Sequence, residues 1–163
     1  MERLQSLYFK MIAYYAHDPR RIQHFVKVHS FARLIGRAEG LEGDLLLTLE
    51  AAALVHDIGI RAAEEKYGRC NGKLQEQEGP ALAERMLEAL RFPPELIRRV
   101  CFLVGHHHTY TDVDGVDYRI LLEADFLVNL FEDGESDEAV RAAYERIFRT
   151  ETGKRLCRTM FRL

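Results

Sequence analysis

Four polar side chains stand where apolar ones belong, and together they could hold a metal ion. On one helical stretch His24, Val28, Phe31 and Ile35 follow at spacings of four, three and four, so a histidine shares the face of three apolar residues. On a second stretch Leu45, Leu49, Ala52 and His56 do the same, with Asp57 next at the helix end. On a third, Leu121, Asp125 and Val128 place a carboxylate on the apolar stripe. A buried carboxylate keeps its charge only with partners. Two inward imidazoles and two nearby carboxylates meet that need by sharing a divalent cation. Taken singly, a lone inward histidine such as His24 is more often a hydrogen-bonded core residue, and Asp125 could equally serve a structural ion pair. The coincidence of four such residues on three helices favours the metal.

His106, His107 and His108 form a second cluster at the end of another helical stretch, just after Gly105. Consecutive helical residues fan out by about 100°, so one or two of the three can face inward and not all. A polar helix end, where histidine suits the dipole, accounts for them equally well. Two other histidines are set aside. His17 precedes Asp18, but Asp18 before Pro19 reads as an N-cap. His29 lies five residues after His24, about 140° round the helix, and is expected to be exposed or peripheral.

The elements that position these residues all read as helices. One runs from Asp18-Pro19 to about Glu39, with Gly40 as its stop, and a second from near Asp44 to Gly59. Pro80 opens a third, ALAERMLEAL, and Pro93-Pro94 a fourth, ELIRRVCFLVGHHH. Asp117 is placed to cap a fifth, YRILLEADFLVNLF, and two more run from about Ser136 to Phe148 and from about Thr152 onward. In the last, Leu156, Met160 and Leu163 form a stripe expected to cover the core. Residues 61–79 carry three glycines and many polar side chains, and read as a partly helical surface excursion, equally a lid or a tolerated insertion. No run alternates like a strand. The expected fold is all-α: a compact single-domain bundle of about six to eight helices over residues 1–163, with its motifs at about 20–131 and helices at 136–163 packing on that core.

Composition bounds the function classes. The 163 residues are 47 % hydrophobic and 30 % charged, ordinary for a globular chain. A net charge of −3 gives no general attraction to nucleic-acid polymers or anionic membranes. Cys70, Cys101 and Cys157 are odd in number and widely spaced, which fits neither a disulfide framework nor a zinc ribbon. Charges interrupt the apolar residues of MERLQSLYFKMIAYY, so no clean signal-peptide core is present. No apolar run approaches the ~18 residues of a membrane span, and the cytoplasm is the default location. Neither a Gly-rich phosphate loop nor a Gly-x-Ser-x-Gly elbow occurs.

The order His24, then His56-Asp57, then Asp125 resembles the HD-domain superfamily of metal-dependent phosphohydrolases. HFVKVHSFARLIG is similar to the family's first-histidine helix, LEAAALVHDIG to its His-Asp helix, and LLEADFLVN to the helix of its final aspartate. GPALAERMLEAL and PPELIRRVCFLVGHHH resemble the intervening helices that usually supply further histidines. The resemblance spans residues 20–131.

It implies His24, His56, Asp57 and Asp125 as ligands of one divalent ion: manganese, iron, cobalt, nickel, zinc or magnesium. It places His106 and His107 beside that ion, with His108 less favoured, to bind a second ion, protonate a leaving alkoxide or contact phosphate. The implied partner is a small phosphorylated substrate, a nucleotide among the candidates, and a homo-oligomer is left open.

The chain also departs from the pattern. Fully equipped members carry another histidine before the glycine matched by Gly79; Gln75, Glu76, Gln77 and Glu78 stand there instead. Glu76 or Glu78 could supply an oxygen. The lysine that often follows the His-Asp-Ile-Gly run is replaced by Ile60 and Arg61, and Arg61 reads as a displaced phosphate-binding group or an ordinary surface arginine. Lys66, Arg69 and Lys73 could hold substrate charge, though a solvated face suits most of them better. Three alternatives remain: a regulatory module that binds metal or ligand without turnover, a diiron oxygenase of HD type, and a helical domain with an empty site.

Overall fold

The computed structural model describes residues 2–163. Among them are nine helices and no strand: α1 (Arg3–Tyr14), α2 (Pro19–Ala38), α3 (Gly43–Val55), α4 (Gly59–Tyr67), α5 (Gly72–Ala89), α6 (Pro94–Val104), α7 (Val116–Glu132), α8 (Asp137–Ile147) and α9 (Glu151–Met160). The bundle is all-α as expected. The helix not foreseen in the sequence is α1, whose buried face is only Leu7 and Met11.

α3 is the axis of the molecule. Every residue from Thr48 to Val55 is buried, so this helix is enclosed on all sides. α1, α2, α6 and α7 pack around it, α5 joins through α6, and α8 and α9 lean on α7. Its alanines, Ala51 to Ala53, let those neighbours come close. A helix so enclosed has one exit for polar chemistry, its end, and His56 and Asp57 stand there.

Several local expectations change. α5 begins at Gly72, capped by the Asn71 side chain accepting from Leu74 N at 2.9 Å, and carries Pro80 inside it. An interior proline costs about 3 kcal/mol, which the packing of α4 and α6 on either side offsets. The polar stretch 61–79 is therefore mostly helix, α4 and the start of α5, in mutual contact. At their crossing a Cβ on Gly59 would lie 2.8 Å from Gly79 N and 2.9 Å from Gln75 O, so backbone meets backbone. Asp117 is not the cap of α7; it sits in the first turn and binds the Arg99 guanidinium at 2.7 and 2.8 Å. Leu45 is exposed. On α9 the buried residues are Gly153 and Cys157, while Met160, and Leu163 beyond the helix, are exposed.

Two buried carboxylates outside the metal-ligand pattern tie helices together. Glu123 accepts from Arg149 N, Thr150 N and Thr150 Oγ1 at 2.6, 2.9 and 2.5 Å, fixing the start of α9 on α7. Gly153 leaves room for it, since a Cβ there would lie 2.0 Å from Glu123 Oε2. Glu50 of α3 faces His29 Nε2 at 3.0 Å, and His29 Nδ1 meets the Tyr8 hydroxyl of α1. His29 is therefore buried, contrary to the exposed or peripheral position expected from its phase. It does leave the His24 face; a second helix interface receives it.

No helix among the described residues is long and apolar enough to cross a membrane. The three cysteines are free.

His29→Ala strips Glu50 of its imidazole partner in a buried setting. We expect a loss of about 2–4 kcal/mol in denaturant unfolding, with bound metal per chain unchanged. A large loss of metal would place His29 in the centre instead.

Candidate metal centre

α2 brings His24, the turn after α3 brings His56 and Asp57, and the middle of α7 brings Asp125. Their donor atoms converge. His24 Nε2 lies 3.2 Å from His56 Nε2, 3.2 Å from Asp57 Oδ2 and 3.2 Å from Asp125 Oδ1. His56 Nε2 lies 3.4 Å from each of the same two carboxylate oxygens. Ligands about 2.1 Å from one ion stand about 3.0 Å apart across an octahedral edge and about 3.4 Å apart across a tetrahedral one. The observed separations fall in that interval.

The tautomers agree. His56 Nδ1 donates to Ala53 O at 2.8 Å, and His24 Nδ1 donates to Glu132 Oε1 at 3.0 Å. With Nδ1 protonated, each neutral ring turns the Nε2 lone pair inward. Two facing lone pairs repel unless a cation or a proton lies between them. Burial works to lower the pKa of His24, but hydrogen bonds to Asp125 and Asp57 overcome it and raise the value to about 10. Burial likewise opposes ionisation of Asp57, and the charge of His56 with hydrogen bonds from His107 and His24 holds it well below the usual carboxylate range. Asp125 is held low too, against its burial, by hydrogen bonding to His24 and the charge of His56. The cluster demands positive charge, and a divalent ion supplies it with the donor set present.

A second group adjoins the first. The other oxygen of Asp57, Oδ1, lies 3.4 Å from His107 Nε2, and His108 completes a set able to hold an ion. Asp57 thus faces one group with each oxygen, as a bridging carboxylate does. Gln75 Oε1 sits 3.2 Å from His107 Nε2 and 3.0 Å from His108 Nε2. It occupies the region where the family resemblance leads one to look for a histidine. An amide oxygen is a neutral and weaker donor.

α6 ends at Val104, so the three histidines follow a turn and not a helix. His107 is buried, with Nδ1 donating to Val104 O at 2.8 Å. His108 lines the cavity in front of the donor cluster. A Cβ on Gly72 would lie 2.8 Å from His108 Cγ, so the ring uses the space that glycine leaves. His106 is not brought to the cluster: its ring stacks on Phe102 at 4.0 Å and its Nδ1 bonds Phe102 O. Glu76 accepts from His108 N and Thr109 Oγ1 at 3.0 and 2.8 Å, and Glu78 pairs with Lys66 and Tyr67. Neither acid reaches the donors.

Arg61 is also elsewhere. Its guanidinium lies over the Tyr14 and Tyr15 rings, 5.3 and 5.1 Å from their centroids, and donates to Tyr14 O. Those tyrosines hold the His-Asp turn: Tyr15 OH donates to Asp57 O at 2.7 Å and Tyr14 OH to Ile58 O at 3.2 Å. Arg61 thus braces the brace. The basic groups that line the cavity are Arg20 and Arg21 of α2. The sequence reading passed over both, along with Tyr14, Tyr15 and Glu132. Glu132 had a signal: it lies two helical turns after Asp125, on the same face of α7. The cavity holds about 430 Å³ and reaches His24, Asp57, His108 and Asp125.

Comparison with known proteins bears on the family and the fold. The family model described as "HD domain" matches residues 21–149. The fold is similar to that in the crystal structure of a predicted HD superfamily hydrolase from an uncultured Thermotogales bacterium, with a TM-score of 0.67 over 95 % of this chain and 83 % of that one at 24 % identity. No curated protein matches the chain.

Two outcomes follow from the donor chemistry. In the metal-free protein His24 keeps its proton up to about pH 10, and that proton must leave when a cation binds. Calorimetry in buffers of different ionisation enthalpy should record proton release, and affinity should rise about tenfold or more per pH unit between about pH 6 and pH 8; a flat profile would rule out His24 as a ligand. Glu132→Gln removes the carboxylate that orients His24 and should weaken metal binding by about 10–100-fold.

Proposed function

The chain belongs to the HD-domain family, and on that premise we propose that it is a metal-dependent phosphohydrolase that cleaves the ester of a small phosphorylated metabolite, nucleotides included. The observation that carries this reading is the pair of buried imidazoles whose Nε2 atoms face each other at 3.2 Å between two carboxylates. That set opens onto a cavity with Arg20 and Arg21 on its wall. A bound divalent ion supplies Lewis acidity toward a phosphoryl oxygen and lowers the pKa of coordinated water.

The chain's own residues do the rest. Arg20 and Arg21 offer guanidinium groups to the non-bridging oxygens of the substrate. Asp57 and Asp125, ionised by their surroundings, keep the donor set ready for its ion. Burial and the neighbouring His107 push the pKa of His108 down to about 4. His108 is therefore neutral at physiological pH and serves as a hydrogen-bond donor from its ring, not as a charged acid. His107, enclosed behind it, brings Nε2 to 3.4 Å from Asp57 Oδ1, where the two offer donor atoms to a cation. Glu132 fixes His24, and the Lys27 ammonium pairs with that carboxylate at 3.1 Å.

Gln75 favours one rival, a regulatory module that binds metal and ligand without turnover, because it withholds a histidine from the second group. The same residue speaks against a complete diiron set. The rival implies tight ligand binding with no phosphate release.

Freshly purified protein assayed for metal, beside a panel of phosphate esters with added manganese, separates these readings. We expect about one ion per chain and phosphate release. Asp57→Ala should abolish both, and His108→Ala should keep the ion while lowering kcat about 10²–10³-fold. No release from any ester by metal-loaded protein would leave the binding module.

A further inference from the structure

The centre opens on two sides. Besides the cavity carrying Arg20 and Arg21, a second cleft of about 580 Å³ runs between α7 and α8 and shares His108 and Asp125 with the first. Its inner end is therefore the donor cluster itself. Its size lies within the range of small-molecule sites.

The walls of this cleft differ in kind from those of the cavity that carries Arg20 and Arg21. Tyr110 and Phe126 meet edge to face at 5.3 Å, with their planes at 72°. Arg146 of α8 stands 5.5 Å over the Tyr110 ring. Opposite, Ala139, Ala142 and Ala143 present one small-residue face of α8, which leaves the space unfilled. Phe126 follows Asp125 directly on α7, and Tyr110 lies two residues after His108. Asp125 and His108 are thus each within two residues of an aromatic wall.

The geometry points to a leaving-group subsite: the cleft between α7 and α8 receives an aromatic ring on the alcohol half of the substrate, packed between Tyr110, Phe126 and the alanine face of α8, while the phosphoryl group lies at the donor cluster. This inference rests on the phosphohydrolase reading and narrows it to esters whose alcohol carries a flat ring. A phosphoryl group seated at the cluster has anionic oxygens to satisfy, and the arginine-lined side meets that need. The carbon skeleton is left to the aromatic side. Stacking of this kind is tolerant of ring identity, so the cleft selects a class of substrate and not a single compound.

The test uses manganese-loaded full-length protein and two phosphonates that it cannot hydrolyse, benzylphosphonate and methylphosphonate, with affinity read by calorimetry. We expect benzylphosphonate to bind about tenfold tighter or better. Ala142→Trp, which fills the cleft, and Tyr110→Ala, which removes a wall, should each bring the ratio close to one. Circular dichroism and metal content report whether either variant is folded. Equal affinities in the wild type, binding of neither compound, or an undiminished ratio in both folded variants would overturn the subsite. If the preference is present but no phosphate ester is turned over, the phosphohydrolase reading fails and the aromatic subsite stands.

Discussion

Two neutral imidazoles cannot point their lone pairs at each other from 3.2 Å, inside a protein, without something positive nearby. Most of the structure around them enforces that arrangement. The Ala53 carbonyl and Glu132 carboxylate each take an Nδ1 proton and so turn Nε2 inward. Asn129 donates to Asp125 Oδ1 at 2.9 Å, which keeps that carboxylate aimed at the same point. Isolated charges are costly to bury, and here the cost is concentrated in one place that a single ion can relieve. Without an ion, protons relieve it, which is why the pKa values of His24 and His56 are both raised above the ordinary histidine range by Asp57 and Asp125.

The scaffold that allows this is an enclosed helix with an open end. α3 is buried throughout its second half, so its packing is set by apolar contacts on every side. The following turn inherits that rigidity and adds hydrogen bonds from Tyr14 and Tyr15 to its carbonyls. Gly59 and Gly79 then let α4 and α5 touch backbone to backbone, which brings Gln75 up to His107 and His108. Rigid elements hold the first group of donors. A turn and one side-chain amide hold the second.

What could be read in the sequence follows that division. His24, His56 and Asp125 were legible because helical phase fixes direction once the apolar stripe is seen. The all-helical fold was legible for the same reason. His107 and His108 could not be told from His106, because a turn after α6 replaces the helical phase on which such an argument depends. His29 misled because phase says only that a residue leaves one face; it does not say that Tyr8 and Glu50 wait on the next. Arg61 and the acids of α5 were placed by neighbourhood in sequence, and tertiary contacts drew them to Tyr14, to a loop backbone and to Lys66 instead. α1 gave little warning, since its buried face is only two residues.

The braced turn also separates two kinds of boundary. The family match starts at residue 21. The hydroxyls that hold the carbonyls of Asp57 and Ile58 come from residues 14 and 15. A piece of chain cut where inherited similarity begins would keep all four first-group donors and lose the support beneath one of them, Asp57, and beneath the residue that follows it. The span that descent recognises and the span that works as a mechanical whole are of different lengths. Excising or grafting the centre calls for the longer one.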